Sequence, residues 1–174
     1  RLLREPQFWL LFAVIFLASI GTLLSLVHVV PYATHYGFSA HEGALLLGLI
    51  GIGNISGRCI LPYLGDRFSA TRLLGWVTFG LSVALAAWCV ATTLPALAAF
   101  AIILGMTSGG TIALYPTVTA DHFGTDNLGT ILGALYFGVG IAALVGPSLA
   151  GFSFDLFGDY RPSIALSAMC AFAS

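Results

Sequence analysis

Five predominantly apolar stretches, each longer than 20 residues, follow one another along this chain with short polar breaks between them. A helix needs about 20 apolar residues to cross a hydrocarbon core of ~30 Å. The stretches run from about Phe8 to Val30, ending at Pro31, then from Gly43 to Leu64, Leu73 to Thr93, Ala96 to Ala120 and Leu128 to Phe154. A sixth begins near Ser163 and stops at Ser174, too short to cross by itself. None of the runs alternates apolar with polar residues, which makes a membrane barrel a poor alternative. The first is too long, and continues too directly into further spans, to be a cleaved leader. An all-α membrane protein is predicted, a six-helix bundle over residues 1–174. The chain starts at Arg1 and stops inside its last span, so a fragment is expected.

Charge supports this. Only 6 basic and 7 acidic residues are present in 174, or 7%, and no lysine. A soluble domain carries roughly 25%. A net charge of -1 offers no field for nucleic acid. Cys59, Cys89 and Cys170 lie in apolar stretches without disulfide or metal spacing, and no cofactor is implied. No Ser/His/Asp, metal or paired-carboxylate constellation appears in the spans, which argues against an enzyme. Arg1 and Arg4 precede the first span, and Arg67 and Arg72 separate the second from the third, against Arg161 alone on the other side. The positive-inside rule therefore predicts a cytoplasmic N-terminus in a cell membrane.

The second and fifth spans resemble each other. Gly51 to Asp66 and Gly138 to Asp155 both begin G-x-G, pass a late proline (Pro62, Pro147) and a glycine (Gly65, Gly151), and end in aspartate. Three spans apart, they cross in opposite directions, the signature of a 3+3 inverted repeat with a site near the midplane.

Arg58 is the exceptional residue. It lies 8 residues before Asp66, so its backbone sits ~12 Å inside the helix end. Burying such a charge costs ~2.5–3.5 kcal/mol on insertion scales. No acid lies inside the predicted spans to offset it. Gly51, Asn54, Pro62 and Gly65 share its face, a small and polar stripe suited to a cavity wall. Its planar fork matches a carboxylate; snorkelling to the interface, or an acid elsewhere, is the structural alternative. His28 is a candidate partner to substrate or protons, with backbone bonding at the Pro31 break as the alternative. Tyr32, in the same H-V-V-P-Y-A segment, Tyr115 and Tyr136 are candidate cavity-lining aromatics; packing is the alternative. Gly65, Asp66, Arg67 and Arg72 form a charged turn, read either as a lock released during rocking or as a topogenic loop. Gly105-x-x-x-Gly109, and Gly140, Gly146, Pro147 and Gly151, are expected to permit close helix packing and bending. His35, His41 and Glu42 read as a solvated loop.

These motifs together resemble a known family. P-Y-L-G-D-R-F-S-A-T-R, from Pro62 to Arg72, is similar to the second copy of the major facilitator superfamily loop motif G-x-L-x-D-R-x-G-R-R, with proline for its first glycine and serine for its second. The Gly140–Gly151 stretch resembles the superfamily's G-P motif, and R-E-P-Q-F-W-L-L resembles the start of its seventh helix. The resemblance implies the C-terminal six-helix half of a twelve-helix fold, with the N-terminal half as partner. H-V-V-P-Y-A, N-I-S-G-R and the G-P-S-L-A-G-F stretch resemble the branch of monocarboxylate transporters and oxalate/formate antiporters. By that resemblance Arg58 occupies the position of the eighth-helix arginine that engages a carboxylate. Asn54 stands where animal members often have aspartate, and the eleventh-helix lysine of the oxalate antiporters is missing.

The function expected is secondary transport of a small organic anion, a monocarboxylate, by alternating access, with protons as a candidate coupling ion. The alternatives are a carrier of a neutral solute or drug in which Arg58 is structural, and a non-transporting receptor or scaffold of the same fold.

Overall fold

The computed structural model describes residues 4–65 and 67–174. Asp66, one of the charged-turn residues, and Arg1 lie outside the described residues. Six helices follow in chain order: α1 (Pro6–His35), α2 (Ala40–Gly65), α3 (Ala70–Trp88), α4 (Leu94–Phe123), α5 (Leu128–Phe157) and α6 (Arg161–Phe172). The first five are long and apolar enough to cross a membrane.

Helix ends depart from the apolar runs for local reasons. Helix α1 does not stop at Pro31 but continues to His35. Proline forfeits one backbone bond, which a membrane helix tolerates when neighbours compensate. Helix α3 stops at Trp88, five residues before the run ends at Thr93. Thr93 is extended as the N-cap of α4, and Pro95 opens that helix. Glu42 is not a free loop acid. Its carboxylate accepts the Ser39 backbone N–H at 2.7 Å and the Ser39 hydroxyl at 2.8 Å, while the Glu42 N–H donates back to that hydroxyl at 3.2 Å. This is a capping box, and it fixes where α2 begins. Gly124 and Gly158, after α4 and α5, turn the chain at φ 74° and 67°, a conformation L side chains rarely adopt.

Packing follows the inverted repeat. The most extensive interfaces are α2 on α4 and α1 on α5, which exchange if the two halves are swapped; α3 packs on α6. Pro31 and Pro116 stand 85 residues apart, as do Pro62 and Pro147. In the same register the buried Leu46, Ile50, Gly53 and Gly57 of α2 match the buried Ile131, Leu135, Gly138 and Ala142 of α5. The motifs align Gly51 with Gly138; the buried faces set Gly53 there instead.

Two apolar clusters divide the bundle along its length. One, at the end where α1 starts, joins Phe8, Leu11, Leu74, Leu114, Tyr115 and Leu135. The other, toward the opposite end, joins Tyr32, Leu46, Leu85, Trp88, Phe100 and Ile164, with Trp88 stacked on Phe100 at 4.7 Å. Large apolar side chains also cover the outside: Trp76 is 72% exposed and Leu144 74%. Lipid is the medium that accepts such a surface, and this is an integral membrane protein.

The tightest contact is α2 against α4. A methyl added at Gly57 would collide with the Met106 carbonyl, and one at Gly109 with the Asn54 carbonyl. Lipid tails provide no hydrophobic drive for one helix to leave them for another, so close van der Waals approach over small residues holds the pair. Gly57→Ala in the full-length protein is expected to lower its thermal unfolding temperature in detergent, since overpacking costs about 1–3 kcal/mol. Gly75→Ala, where an added methyl meets nothing within 4 Å, is the control and should leave it unchanged.

Candidate functional site

Because Gly53 and Gly57 are pressed onto α4, the residues next to them on α2 are carried to the rim of that contact. Asn54 is half-buried there, and Arg58, one turn on, is exposed. The Arg58 Nε–H donates to Asn54 Oδ1 at 2.9 Å, and the Asn54 amide donates to Ser108 Oγ of α4 at 3.2 Å. Pro62 has no N–H to offer the Arg58 carbonyl, so the helix is locally relaxed at the residue that carries the charge.

Beside this chain lies a cavity of about 210 Å³. Four helices supply its polar wall: Ser19 and Thr22 from α1, Asn54 from α2, Ser108, Thr111 and Tyr115 from α4, and Tyr136 from α5. Helices α3 and α6 do not reach it. The Tyr115 and Tyr136 rings meet edge-on with centroids 6.5 Å apart. Arg58 itself is not among the lining residues and joins this wall through its hydrogen bond to Asn54. Arg58, Asn54, Tyr115 and Tyr136, expected to act together, are therefore one neighbourhood. Ser108 belongs with them and was not anticipated.

The Major Facilitator Superfamily profile matches residues 8–174. The chain belongs to this superfamily. Among relatives, mouse Monocarboxylate transporter 12 is 34% identical over 152 residues, covering 84% of this chain and 30% of that protein. The oxalate:formate antiporter of Oxalobacter formigenes is 29% identical, over 99% of this chain and 41% of its own length. The riboflavin transporter MCH5 of Saccharomyces cerevisiae is 28% identical, over 86% of this chain and 30% of its own. The chain spans about a third of the length of the curated relatives it matches. Its six helices form half of a major facilitator fold.

Other residues marked from the sequence fall elsewhere in this superfamily half. Tyr32 is fully buried, and its hydroxyl serves the carbonyls of Trp88 and Ala91 at 3.2 and 3.0 Å. The first belongs to the last residue of α3 and the second to the turn that follows, so Tyr32 pins that turn and does not line the cavity. His28 is also away from the cavity lining. Its Nε2 donates to the Pro147 carbonyl at 3.1 Å, tying α1 to α5, and its ring lies 5.3 Å from that of Tyr160. The Nδ1 atom is buried without a partner among the described residues.

Arg67 turns back on its own helix, donating to the Tyr63 hydroxyl at 2.7 Å with its guanidinium 5.1 Å above the ring. Arg72 is exposed in the first turn of α3. A methyl at Gly65 would come within 3.3 Å of Leu114, so this glycine admits α4 closely. Gly146 does the same for α1, where a methyl would sit 2.9 Å from the Ile20 carbonyl. Gly140 and Gly151 do not fit the packing role within these six helices: methyls there meet nothing within 4 Å. Gly53, Gly57 and Gly138 carry that role instead, and the small-x-x-x-small spacing of the first two was the available signal.

Removing the Tyr32 hydroxyl separates the two roles. Tyr32→Phe should lower stability by about 0.5–1.5 kcal/mol, the worth of a hydrogen bond, seen as a lower detergent melting temperature. The KM for any transported solute should not change.

Proposed function

We propose that the full-length protein is a secondary transporter of a small organic anion, a monocarboxylate, working by alternating access, with Arg58 as the carboxylate-binding group. One observation carries this reading. The guanidinium lies within a membrane helix, its single hydrogen bond among the described residues is to a neutral amide, and no acid pairs with it there. Desolvating such a charge is costly, and an arriving carboxylate offsets the cost with two charge-assisted bonds. Asn54, Tyr115 and Tyr136 shape the adjoining cavity. The mouse and Oxalobacter relatives, a monocarboxylate transporter and an oxalate:formate antiporter by name, support the same substrate class.

On this reading the N-terminal six-helix half closes the cavity from the other side, and residues 1–174 are the C-terminal half. His28 bridges α1 and α5, and protons are the proposed coupling ion. The end bearing Arg4, Arg67 and Arg72 faces the cytoplasm. That orientation has a direct check. In a full-length protein with Cys59, Cys89 and Cys170 replaced, His41→Cys should react with an impermeant maleimide added outside intact cells. Thr125→Cys should react only after the membrane is opened.

For the substrate, uptake of formate, acetate and lactate by the full-length protein in proteoliposomes is the assay. Arg58→Ala should abolish uptake while leaving the protein inserted. Arg58→Lys keeps the charge and loses the fork, so a loss of about tenfold or more in kcat/KM is expected, as for a hydrogen bond to a charged group. A neutral solute that outcompetes every carboxylate, with uptake indifferent to Arg58→Ala, would instead favour a neutral cargo and a structural arginine. The riboflavin transporter relative makes that comparison worth including.

A further inference from the structure

The Asn54 amide has only one orientation that satisfies its neighbours. A guanidinium donates and never accepts, so the amide oxygen must face Arg58 Nε, at 2.9 Å. The amide nitrogen then faces Ser108 Oγ, at 3.2 Å, which must accept. Ser108 is free to accept because its own proton goes to the Gly105 carbonyl, at 3.0 Å. Each donor meets an acceptor, and the chain runs from Arg58 through two side chains to the backbone of α4.

The chain exists because of the glycine contact. A methyl at Gly105 would lie 2.9 Å from the Asn54 backbone nitrogen, and one at Gly109 would lie 2.9 Å from the Asn54 Cα. The Asn54 backbone is thus bedded between two glycines of α4, with Ser108 beside them and only 3% exposed. A short amide side chain spans the gap because the helices touch here.

We propose that Ser108, acting through Asn54, is a positioning residue that sets how Arg58 presents its charge to an anion. This rests on the reading of Arg58 as the anion-binding group. With Nε–H committed to Asn54, the four N–H bonds on the two Nη atoms remain, and they form the fork at the tip of the guanidinium. A carboxylate is therefore met end-on by both Nη groups, not along the Nε edge. A neutral amide also orients the guanidinium without neutralising it, which a carboxylate in place of Asn54 would do.

The test uses the full-length protein in proteoliposomes with formate, acetate and lactate as probes, measuring KM and kcat for the probe carried fastest. Ser108→Ala should raise KM roughly three- to tenfold, the range one hydrogen bond supports. It should leave kcat within about twofold. A purely structural role would lower the amount of folded carrier and leave KM alone. Asn54→Ala should raise KM at least as far, and adding Ser108→Ala to it should produce no further rise, since the chain is already broken. Wild-type KM in Ser108→Ala, with Arg58→Ala inactive, overturns the relay and leaves the anion site standing. So does a double variant whose KM rise is the product of the two single rises, because Ser108 then acts independently of Asn54. Undiminished carboxylate uptake by Arg58→Ala overturns the anion site and the relay with it.

Discussion

The backbones of α2 and α4 touch, and much else in the molecule depends on that contact. Two glycines from each helix, Gly53 and Gly57 against Gly105 and Gly109, leave no side chain between the main chains. In water, burying larger apolar residues would hold such a pair; in lipid that gain is missing, and proximity itself provides the attraction. Proximity has a second effect. At ordinary helix spacing a side chain as short as asparagine would not reach across, and its amide would lie unsatisfied in a medium without water. Here Asn54 reaches Ser108, so a polar group is tolerated inside the bundle and is available to hold Arg58.

The symmetry-related interface is built from different materials. Where α2 has Gly53 and Gly57, α5 has Gly138 and Ala142, and Phe12 of α1 lies against Gly138. Position 58 of α2 corresponds to Ala143 of α5 in the 85-residue register. An inverted repeat thus gives two equivalent scaffolds, of which only one carries a charge at this position. The other interface is fastened differently, by His28 reaching the Pro147 carbonyl. The cavity lies between these two interfaces, lined by the four helices that form them, while α3 and α6 pack together outside it.

The first five helices were legible because hydrocarbon demands long apolar runs, and length alone distinguishes them. Their ends were less legible. Pro31 looks like a stop, yet a proline's lost bond is absorbed within a packed bundle; the apolar run through Val90 and Ala91 looks like helix, yet Pro95 claims the following segment for α4. At the site, Arg58 and Asn54 stood out because charge and amide are expensive in lipid. Ser108 did not, because serines in membrane helices usually bond their own backbone, as Ser25 does to Gly21 at 2.8 Å. Only the glycine contact makes Ser108 different, and that is a property of two helices together. Tyr32 misled for the related reason that a tyrosine pinning a turn and one lining a cavity look alike in sequence.

Prolines give the last connection between fold and site. Each of the four that stand within helices, Pro31, Pro62, Pro116 and Pro147, leaves the carbonyl four residues earlier without its amide donor. Those carbonyls belong to Val27, Arg58, Ile112 and Ala143, one in each helix that lines the cavity. Helices α3 and α6 have no proline beyond their first turns. Bending is therefore cheapest in the four helices around the cavity, and in α2 the weak point coincides with the residue that carries the charge. A helix that yields at Arg58 moves the guanidinium, while the contact at Gly57, one residue earlier, keeps the rest of α2 seated on α4. If Arg58 is the anion-binding group as proposed, the binding group and the compliant point of the helix are the same residue.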